Sequence, residues 1–323
     1  MLAVSCVSQS ASDPLSGLEV GERPAPVPPE GWVTVDLRAC ALNHHDLWSL
    51  RGVGLPADRL PMVLGCDGAG TLEDGTEVVV HAVIGDPEAG RGDETLDPKR
   101  TLLSELHDGT LAEQVVVPAR NVVPKPASLT WEEAACLPTA WLTAYRMVAN
   151  RAGLDEPGTV LVQGAGGGVA TAAIVLAKAL GHTVWCTSRD EEKRRRALEL
   201  GADLALPTGE RFPGKVDAVI ETVGEATWAH SLRALRPGGR IVVSGATSGP
   251  NPPSDLNRVF FLQLSVIGST MGTRQELEDL LALCDRTGVR PVIDDVRPLS
   301  DARRSFERLA AGDVVGKLVL TVS

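Results

Sequence analysis

The chain has 323 residues, with 42 acidic against 31 basic side chains and a formal net charge of -11. This acidic balance argues against nucleic acid or a membrane surface as a partner. The length allows two domains, and the sequence contains no apolar stretch of membrane-spanning length and no basic leader followed by an apolar core. The six cysteines are scattered without a C-x-x-C pair, which indicates a reducing compartment and predicts a cytoplasmic protein.

Residues 1–126 are predicted to be mostly β-structure. The runs 32–37, 76–83 and 111–117 are typical of strands, and glycine, proline and aspartate separate them. The polar stretch 86–108 lies between two of these strands and is long for a structureless loop. We therefore expect this stretch to be either functional or the remnant of a larger feature.

From residue 127 the pattern changes to alternating helices and strands. A helical composition over 134–148 is followed by a strand over 159–162, a glycine cluster, an Ala-rich helix over 169–180 and a second strand over 183–187. This is the order of a βαβ unit.

The alternation continues and predicts a doubly wound parallel sheet. Its remaining predicted elements are strands at 218–222, 241–244 and 264–267, helices at 273–285 and 300–311, and a final strand at 317–322. We expect that last strand to return to the first domain. The predicted domains are 1–126, a cofactor-binding domain over 127–272, and a returning segment over 273–323.

The glycine cluster has the features of a dinucleotide-binding turn. Glycines permit a tight bend and the close approach of a pyrophosphate, and the following helix offers unpaired N–H groups. The last glycine place of the motif is Ala170, a substitution that the motif tolerates. An ordinary tight turn is the alternative interpretation. The predicted phosphate-binding residues are Ala165, Gly166, Gly167, Gly168 and Val169.

The residues after the second strand favour NADPH over NADH. NAD-binding units carry an acidic residue about 20 residues past the glycines, for the ribose 2′-hydroxyl. This chain has Ser188 and Arg189 there, and a hydroxyl and a guanidinium suit a 2′-phosphate. Lys193 adds positive charge, whereas Asp190 is still able to serve a ribose. At least two members of the run 194–196 are interpreted as a solvated helix face.

Five further motifs accompany the glycine turn: ALNHHDLWSLRG (41–52), LGCDGAG (64–70), DGTLAEQVVVP (108–118), EEAACLPTAWLTAY (132–145) and RPGGRIVVSGATSG (236–249). On these motifs the chain resembles the medium-chain dehydrogenase/reductase superfamily over essentially its full length. The resemblance implies an α/β fold in which a GroES-like, mostly β catalytic domain is split by a doubly wound Rossmann cofactor domain. It also implies a cleft between the two with the nicotinamide at its base, and a homodimer joined along the sheet edge near 264–271.

The resemblance also assigns further positions to the cofactor. Thr143 is expected at the nicotinamide. The other positions expected to line the cofactor cleft are Val223, Gly224, Ser244, Gly245, Ala246, Ser269, Thr270 and Met271.

The alcohol-dehydrogenase branch of this superfamily holds a catalytic zinc with Cys, His and Cys. Asn43 takes the first position by alignment on Asp46, Cys66 replaces the His of that branch's G-H-E motif, and Thr139 takes the last position counted back from Thr143. An amide and a neutral hydroxyl are poor zinc ligands, so we expect no catalytic zinc. The stretch 86–108, where that branch carries a structural zinc, has no cysteine. The alternative is a metal held by a cluster of Cys40, His44, His45, Cys66 and Asp67.

Without zinc the chain resembles the quinone-oxidoreductase branch, which carries Asn at position 43 and G-x-D at 65–67. This resemblance implies hydride transfer from NADPH to a quinone or an α,β-unsaturated carbonyl compound. Asn43 is either a hydrogen-bond donor to the substrate oxygen or a ligand of loop backbone. His45, with His44 beside it, is expected to deliver a proton, unless it is a capping or exposed residue. Trp48 replaces the tyrosine often found in that branch, and it either forms a pocket wall or packs in the core.

Two other hypotheses from different classes stay open. One is a zinc-type alcohol dehydrogenase with atypical ligands, which metal analysis distinguishes. The other is a non-catalytic NADPH-binding protein, which binds the cofactor and never oxidises it.

Overall fold

A computed structural model describes residues 1–322 of the chain. Within that range the strands, in chain order, are β1 (Leu2–Cys6), β2 (Leu18–Glu22), β3 (Trp32–Ala41), β4 (Met62–Val63), β5 (Asp67–Thr71), β6 (Glu77–Val80), β7 (Val83–Ile84), β8 (Thr101–Leu102), β9 (Gln114–Pro118), β10 (Val122–Pro124), β11 (Thr159–Gln163), β12 (Thr183–Thr187), β13 (Leu204–Leu206), β14 (Val216–Glu221), β15 (Leu235–Val243), β16 (Ser265–Gly268), β17 (Ile293–Pro298) and β18 (Lys317–Thr321).

The α-helices of the same range are α1 (His44–Leu50), α2 (Trp131–Ala135), α3 (Leu142–Tyr145), α4 (Gly168–Ala179), α5 (Glu191–Glu199), α6 (Glu225–Ala234), α7 (Leu256–Phe261), α8 (Arg274–Thr287) and α9 (Ala302–Ala311). Wide, π-type turns at Leu137–Trp141 and Arg146–Arg151 flank α3. None of the helices formed by residues 1–322 is long and apolar enough to cross a membrane.

The chain divides into two compact units, Met1–Leu142 together with the segment from Met271 onward, and Thr143–Thr270. The first boundary between the two units follows Leu142. The sequence analysis had predicted this boundary near residue 127, where the composition changes. The physical reason is that α2, although helical in sequence pattern, packs against β3 and β5 of the first unit.

The first unit is built on a sheet with the strand order β10-β6-β5-β3-β18-β17, in which β9 also pairs with β3. Strand β18 runs antiparallel to β3, with Val319 opposite Ala41. The predicted return of the last strand to the first domain is therefore confirmed. The pairing also places Lys317, at the start of β18, beside the residues that follow β3.

Helix α1 is held against this sheet by a buried apolar cluster. Leu47 and Leu50 are three residues apart and lie on one face of the helix. They pack with Phe306 of α9 and Leu320 of β18. The cluster fixes the position of the N-terminal end of α1, from which Asn43 and His45 project.

The second unit is a six-stranded parallel sheet with the order β13-β12-β11-β14-β15-β16. Numbered within the unit this is 3-2-1-4-5-6, the order of a Rossmann dinucleotide-binding sheet. The predicted doubly wound fold is confirmed, and β12 has the predicted bounds. Strand order reverses between β11 and β14, the switch point at which ligands bind in such sheets. The glycine turn follows β11 and lies at that point.

Candidate functional site

Asp46 anchors the N-terminal end of α1. Its Oδ2 accepts a hydrogen bond from the backbone N–H of Asn43 at 2.8 Å, and its Oδ1 accepts one from Gly65 at 3.1 Å. Burial raises the pKa of this carboxyl to about 6. These two bonds tie the start of α1 to the segment leading into β5, so that Asn43 and His45 lie beside Cys66 and Asp67.

A buried lysine lies behind this helix end. The side chain of Lys317 is 2% exposed and that of Asp67 is 0% exposed. The ammonium donates to Asp67 Oδ2 at 2.8 Å, to Asn43 Oδ1 at 2.8 Å and to the carbonyl oxygen of Leu42 at 2.6 Å. The sequence analysis missed Lys317, although a single lysine within the apolar run of β18 is a signal that it is buried and paired.

The side-chain amide of Asn43 has one polar atom that is hydrogen-bonded and one that has no partner. Its Oδ1 accepts from Lys317, whereas its Nδ2 is buried and has no hydrogen-bond partner. A second unpartnered polar atom, Thr139 Oγ1, lies in the wide turn before α3. Buried polar groups are normally satisfied, so such atoms are candidates for ligand contacts.

The donor set at the three positions of a catalytic zinc does not fit that metal. The oxygen of Asn43 already accepts from an ammonium, and a dication beside that ammonium would be repelled. Burial raises the pKa of the Cys66 thiol, which opposes the thiolate that zinc binds. Among residues 1–322, no three His, Cys, Asp or Glu side chains are grouped so that they could hold a metal ion. This finding also covers the alternative metal cluster considered above, which consists of Cys40, His44, His45, Cys66 and Asp67.

His45 lies between an acid and a thiol. Its Nε2 is 2.9 Å from Glu105 Oε1, and its Nδ1 is 3.6 Å from Cys66 Sγ and 3.4 Å from Ser104 Oγ. Burial lowers the pKa of His45, but Cys66 and Glu105 act in the opposite direction and raise it well above the usual 6.5. The carboxylate of Glu105 thus favours the protonated form of the imidazole. Glu105, which fixes it, was not identified from the sequence.

The neighbouring side chains on α1 differ from His45 in their surroundings. His44 is exposed, and desolvation together with the charges of Lys317 and Arg51 lowers its pKa. Trp48 is half-buried, and the guanidinium of Arg51 lies over its ring at 5.1 Å from the centroid. Trp48 therefore presents an aromatic surface covered on one side by a cation.

In the second unit, the glycine turn leaves its backbone open. Gly164 has a φ of +82°, a conformation that favours glycine. A Cβ on Gly166 would lie 2.7 Å from the Lys193 side chain, whereas one on Gly167 would meet nothing within 4 Å. Helix α4 begins directly after Gly167, and its first N–H groups lack intrahelical partners. Ala165 is buried and Val169 half-buried at either side.

Two further loops follow β14 and β15 at the same edge. Gly224 has a φ of +92°, and a Cβ there would lie 3.0 Å from the Cα of Ala246. Val223 lies 3.5 Å from the Cβ position of Gly164. The structure thus brings the 223–224 turn together with the glycine turn and with the loop that contains Ser244, Gly245 and Ala246.

A buried carboxylate shapes the 223–224 turn. Glu221 Oε1 accepts from the backbone N–H groups of Val223 at 2.8 Å and Gly224 at 3.1 Å. The hydroxyls of Thr227 and Ser231 donate to the same carboxylate. Glu221 is another functional candidate that the sequence analysis missed.

The segment after β12 presents mixed chemistry. Ser188 is buried and its carbonyl accepts from Arg194 Nη1 at 2.8 Å, whereas Arg189 is exposed. Asp190 caps α5, because its Oδ1 accepts from the backbone N–H of Lys193 at 2.9 Å. Arg195 and Arg196 form ion pairs with Glu199 on the exposed helix face. One oxygen of the Asp190 carboxylate is therefore engaged at the helix end.

The remaining predicted cofactor residues lie at element ends. Ser269 donates its backbone N–H to Val243 at 2.9 Å, and the carbonyl of Thr270 is 3.5 Å from Arg146 Nη1. Thr143 is buried at the second position of α3. Met271 packs in the core of the first unit with Cys66.

Comparison with known proteins identifies the family to which the chain belongs. Residues 29–127 match the alcohol dehydrogenase GroES-like domain, and residues 168–286 match the zinc-binding dehydrogenase family. An acryloyl-coenzyme A reductase of Metallosphaera sedula is 32% identical, and the alignment covers 94% of this chain and 96% of that protein. The chain belongs to the medium-chain dehydrogenase/reductase superfamily. The resemblance of the motifs is thereby confirmed, and the protein is an oxidoreductase of this type.

Two solved structures are similar over nearly the whole chain. An NAD-dependent alcohol dehydrogenase has a TM-score of 0.92 and 36% identity and covers 100% of both chains. The 2-octenoyl-CoA carboxylase reductase CinF, solved with NADP and 2-octenoyl-CoA, has a TM-score of 0.89 and 26% identity and covers 99% of this chain and 87% of its own. Nicotinamide cofactors are thus bound within this family.

The surroundings of His45 generate a pH prediction. A histidine whose pKa is raised on folding stabilises the fold below its unfolded pKa of about 6.5, and this stabilisation is lost as pH rises through the folded value. We expect the free energy of unfolding to fall between pH 6.5 and alkaline pH more steeply in the wild type than in His45→Gln. Denaturant titrations at several pH values measure this slope.

NMR titration of Glu105→Gln should show a lower His45 pKa, because the variant lacks the carboxylate beside the imidazole, with His44 as the internal control. An unchanged His45 pKa would contradict the role of Glu105.

Proposed function

We propose that the protein is an NADPH-dependent reductase of α,β-unsaturated carbonyl compounds or quinones that works without a catalytic zinc. Hydride transfer to an electrophilic carbon places negative charge on the conjugated oxygen. A fixed hydrogen-bond donor in a water-poor site stabilises such charge. The chain offers Asn43 Nδ2 for this purpose.

The observation that carries the zinc-free proposal is the buried ammonium of Lys317. It lies at hydrogen-bond distance from Asn43 Oδ1, at the position where zinc-type members carry their first cysteine ligand. The buried carboxylate of Asp67 pairs with this ammonium. A Zn²⁺ ion at the same place would add two positive charges without a thiolate pair to neutralise them.

The names of two relatives support an unsaturated carbonyl over a quinone. The relative from Metallosphaera sedula is an acryloyl-CoA reductase, and CinF was solved with 2-octenoyl-CoA. Both names describe α,β-unsaturated thioesters. We propose the same substrate class, with quinones as the second class to be tested.

The second unit has residues that fit NADPH. The backbone of Gly166 and Gly167 and the start of α4 would hold the pyrophosphate. Ser188, Arg189 and Lys193 would hold the 2′-phosphate, because Asp190, which could otherwise serve a ribose, already caps α5. When bound, the cofactor supplies the hydride.

The residues of the first unit would do the remaining chemistry. Asn43 donates to the substrate oxygen while charge develops there. His45, held by Glu105, carries the proton that neutralises the reduced product. Trp48 provides an apolar surface against which a conjugated system packs.

An alcohol dehydrogenase is the second candidate function. It is favoured by the match to the zinc-binding dehydrogenase family and by the similarity to an NAD-dependent alcohol dehydrogenase. It requires a metal or another group that polarises the alcohol. The third candidate is a non-catalytic protein that binds NADPH and never oxidises it.

The proposal is tested by turnover of dialysed, metal-analysed protein. We expect substoichiometric zinc and NADPH oxidation with an enoyl thioester or a quinone, and a rate insensitive to chelators. Absorbance at 340 nm follows the reaction, and an alcohol with NADP⁺ is the comparison substrate. Stoichiometric zinc with alcohol oxidation would favour the second candidate, and tight NADPH binding without any turnover would favour the third.

Cofactor preference is tested at Arg189. Since a hydrogen bond to a charged group contributes about 1.5–3 kcal/mol, Arg189→Ala should weaken NADPH binding roughly tenfold or more. NADH binding should stay unchanged, because it lacks the 2′-phosphate. Cofactor fluorescence titration measures both dissociation constants. Arg195→Ala is the matched control, since Arg195 is paired with Glu192 and Glu199. A wild type that prefers NADH would contradict the proposal.

We also propose a homodimer formed along β16. This strand is the last of its sheet, and among the described strands it pairs with β15 alone. Val266 on β16 is 50% exposed, and the neighbouring Phe261 is 78% exposed. An unpaired strand edge with exposed apolar side chains is a surface that a second copy covers well.

Sedimentation velocity tests this interface. The wild type should sediment at twice the 34.0 kDa of the chain, and Val266→Asp should shift it toward the monomer because a charge on the edge opposes pairing. Val296→Asp is the control, since Val296 is an exposed valine on another edge strand, β17. A monomeric wild type would contradict the dimer.

A further inference from the structure

We propose that Lys317 is a positioning residue of the reaction: its buried ammonium fixes the amide of Asn43 so that Nδ2 is the group offered to the substrate oxygen. The inference rests on the proposed function, in which Asn43 donates to that oxygen. It adds a residue from the last strand, far from Asn43 in sequence, to the catalytic arrangement.

The first argument concerns the orientation of the amide. An ammonium has three donors and no acceptor, so the atom of Asn43 that faces Lys317 at 2.8 Å has to be the oxygen. A flipped amide would direct its NH₂ group at the ammonium and lose this bond. The contact therefore leaves Nδ2 as the group on the other side of the amide, which is the group without a partner.

The second argument shows that Lys317 acts through Asn43. Its three donors are used by Leu42, Asn43 and Asp67, at 2.6, 2.8 and 2.8 Å. No proton of the ammonium is left for a substrate, and the side chain is 2% exposed. Lys317 is thus not a proton donor in its own right.

The third argument concerns rigidity. Asn43 is 8% exposed and its backbone N–H is held by Asp46 Oδ2 at 2.8 Å. The backbone of the residue is thus fixed by α1 and its side-chain oxygen by β18. A donor held from both ends needs little reorganisation when charge develops, which is the condition for effective stabilisation.

Asn43→Asp separates the structural role of Asn43 from its proposed catalytic role. The aspartate keeps an oxygen for Lys317 but has no NH₂ group. At pH 8.5, far above the ordinary pKa of an aspartate, we expect kcat to fall about a hundredfold or more, the usual loss for one such donor. The dissociation constant for NADPH should stay within about twofold. Unchanged kcat would overturn the donor role of Asn43 and the present inference with it.

Lys317→Met tests the positioning role. We expect kcat to fall about tenfold to a hundredfold, because a misplaced catalytic group has this effect, while the KM for NADPH changes little. Lys317→Arg should recover part of the loss, since arginine is also only a donor. Lys125→Met is the matched control, because Lys125 is 5% exposed and pairs with Glu77 away from the site. The control should keep the wild-type kcat.

Lys317→Met leaves the carboxylate of Asp67 buried without its cation, and that variant can fail to fold. The double variant Asp67→Asn/Lys317→Met removes both charges and keeps the experiment decisive. It should unfold at a temperature close to that of the wild type and still show the lower kcat. A double variant with wild-type kcat would overturn the inference.

A double-mutant cycle with Asn43→Ala identifies the pathway of the effect. If Lys317 acts through Asn43, the combined variant should have the kcat of Asn43→Ala within about twofold. Additive losses would overturn the inference while leaving Asn43 as a donor and the proposed reductase intact. A wild type that reduces no acceptor would overturn the proposed function, and the inference falls with it.

Discussion

The buried ion pair of Lys317 and Asp67 is the interaction on which the first unit depends. A charge taken out of water costs several kcal/mol, and only close partners offset that cost. Here a carboxylate, an amide oxygen and a backbone carbonyl all accept from one ammonium. Because Asp67 belongs to β5, whereas Leu42 and Asn43 lie between β3 and α1, the ammonium of β18 joins both segments at one atom. Loss of either charged partner alone typically costs about 3–5 kcal/mol.

The arrangement suggests how a superfamily known for a metal site can supply positive charge differently. A zinc ion polarises an oxygen by direct coordination. In our proposal the cation is the ammonium of Lys317, which contacts Asn43 and not the substrate. The amide of Asn43 lies between them and donates the hydrogen bond to the substrate oxygen. Such a site loses Lewis acidity but keeps a fixed dipole, which suits charge on a conjugated oxygen better than activation of an alcohol. In this proposal the second unit supplies the cofactor site instead, at the point where its strand order reverses.

The sequence was sufficient for most of the fold and for part of the site. Period, glycine placement and β-branched runs identified β11, α4 and β12 within a residue or two, because these elements form a local unit with strong signals. The helix expected over 134–148 is instead α2, α3 and two wide turns, since tertiary packing overrides composition there. The polar stretch 86–108 contains β8 and Glu105, which contacts His45.

The missed residues share one physical property. Lys317, Glu105 and Glu221 act through partners that are distant along the chain or through backbone groups, and a single sequence does not reveal such pairs. Asn43 was recognised as a candidate because the family motif places it where zinc-type members carry their first cysteine ligand. The ammonium that contacts it lies 274 positions away. Charged residues in apolar strands are the signal that sequence analysis can use in such cases.

The path of the chain has a consequence for how the protein is made. The second unit is one continuous segment, whereas the first is completed by β17 and β18, which are synthesised after it. Domains fold as units while the ribosome adds residues in order. The sheet of the first unit therefore lacks β18 between β3 and β17, and Asp67 lacks its counter-ion, until the entire second unit has been translated.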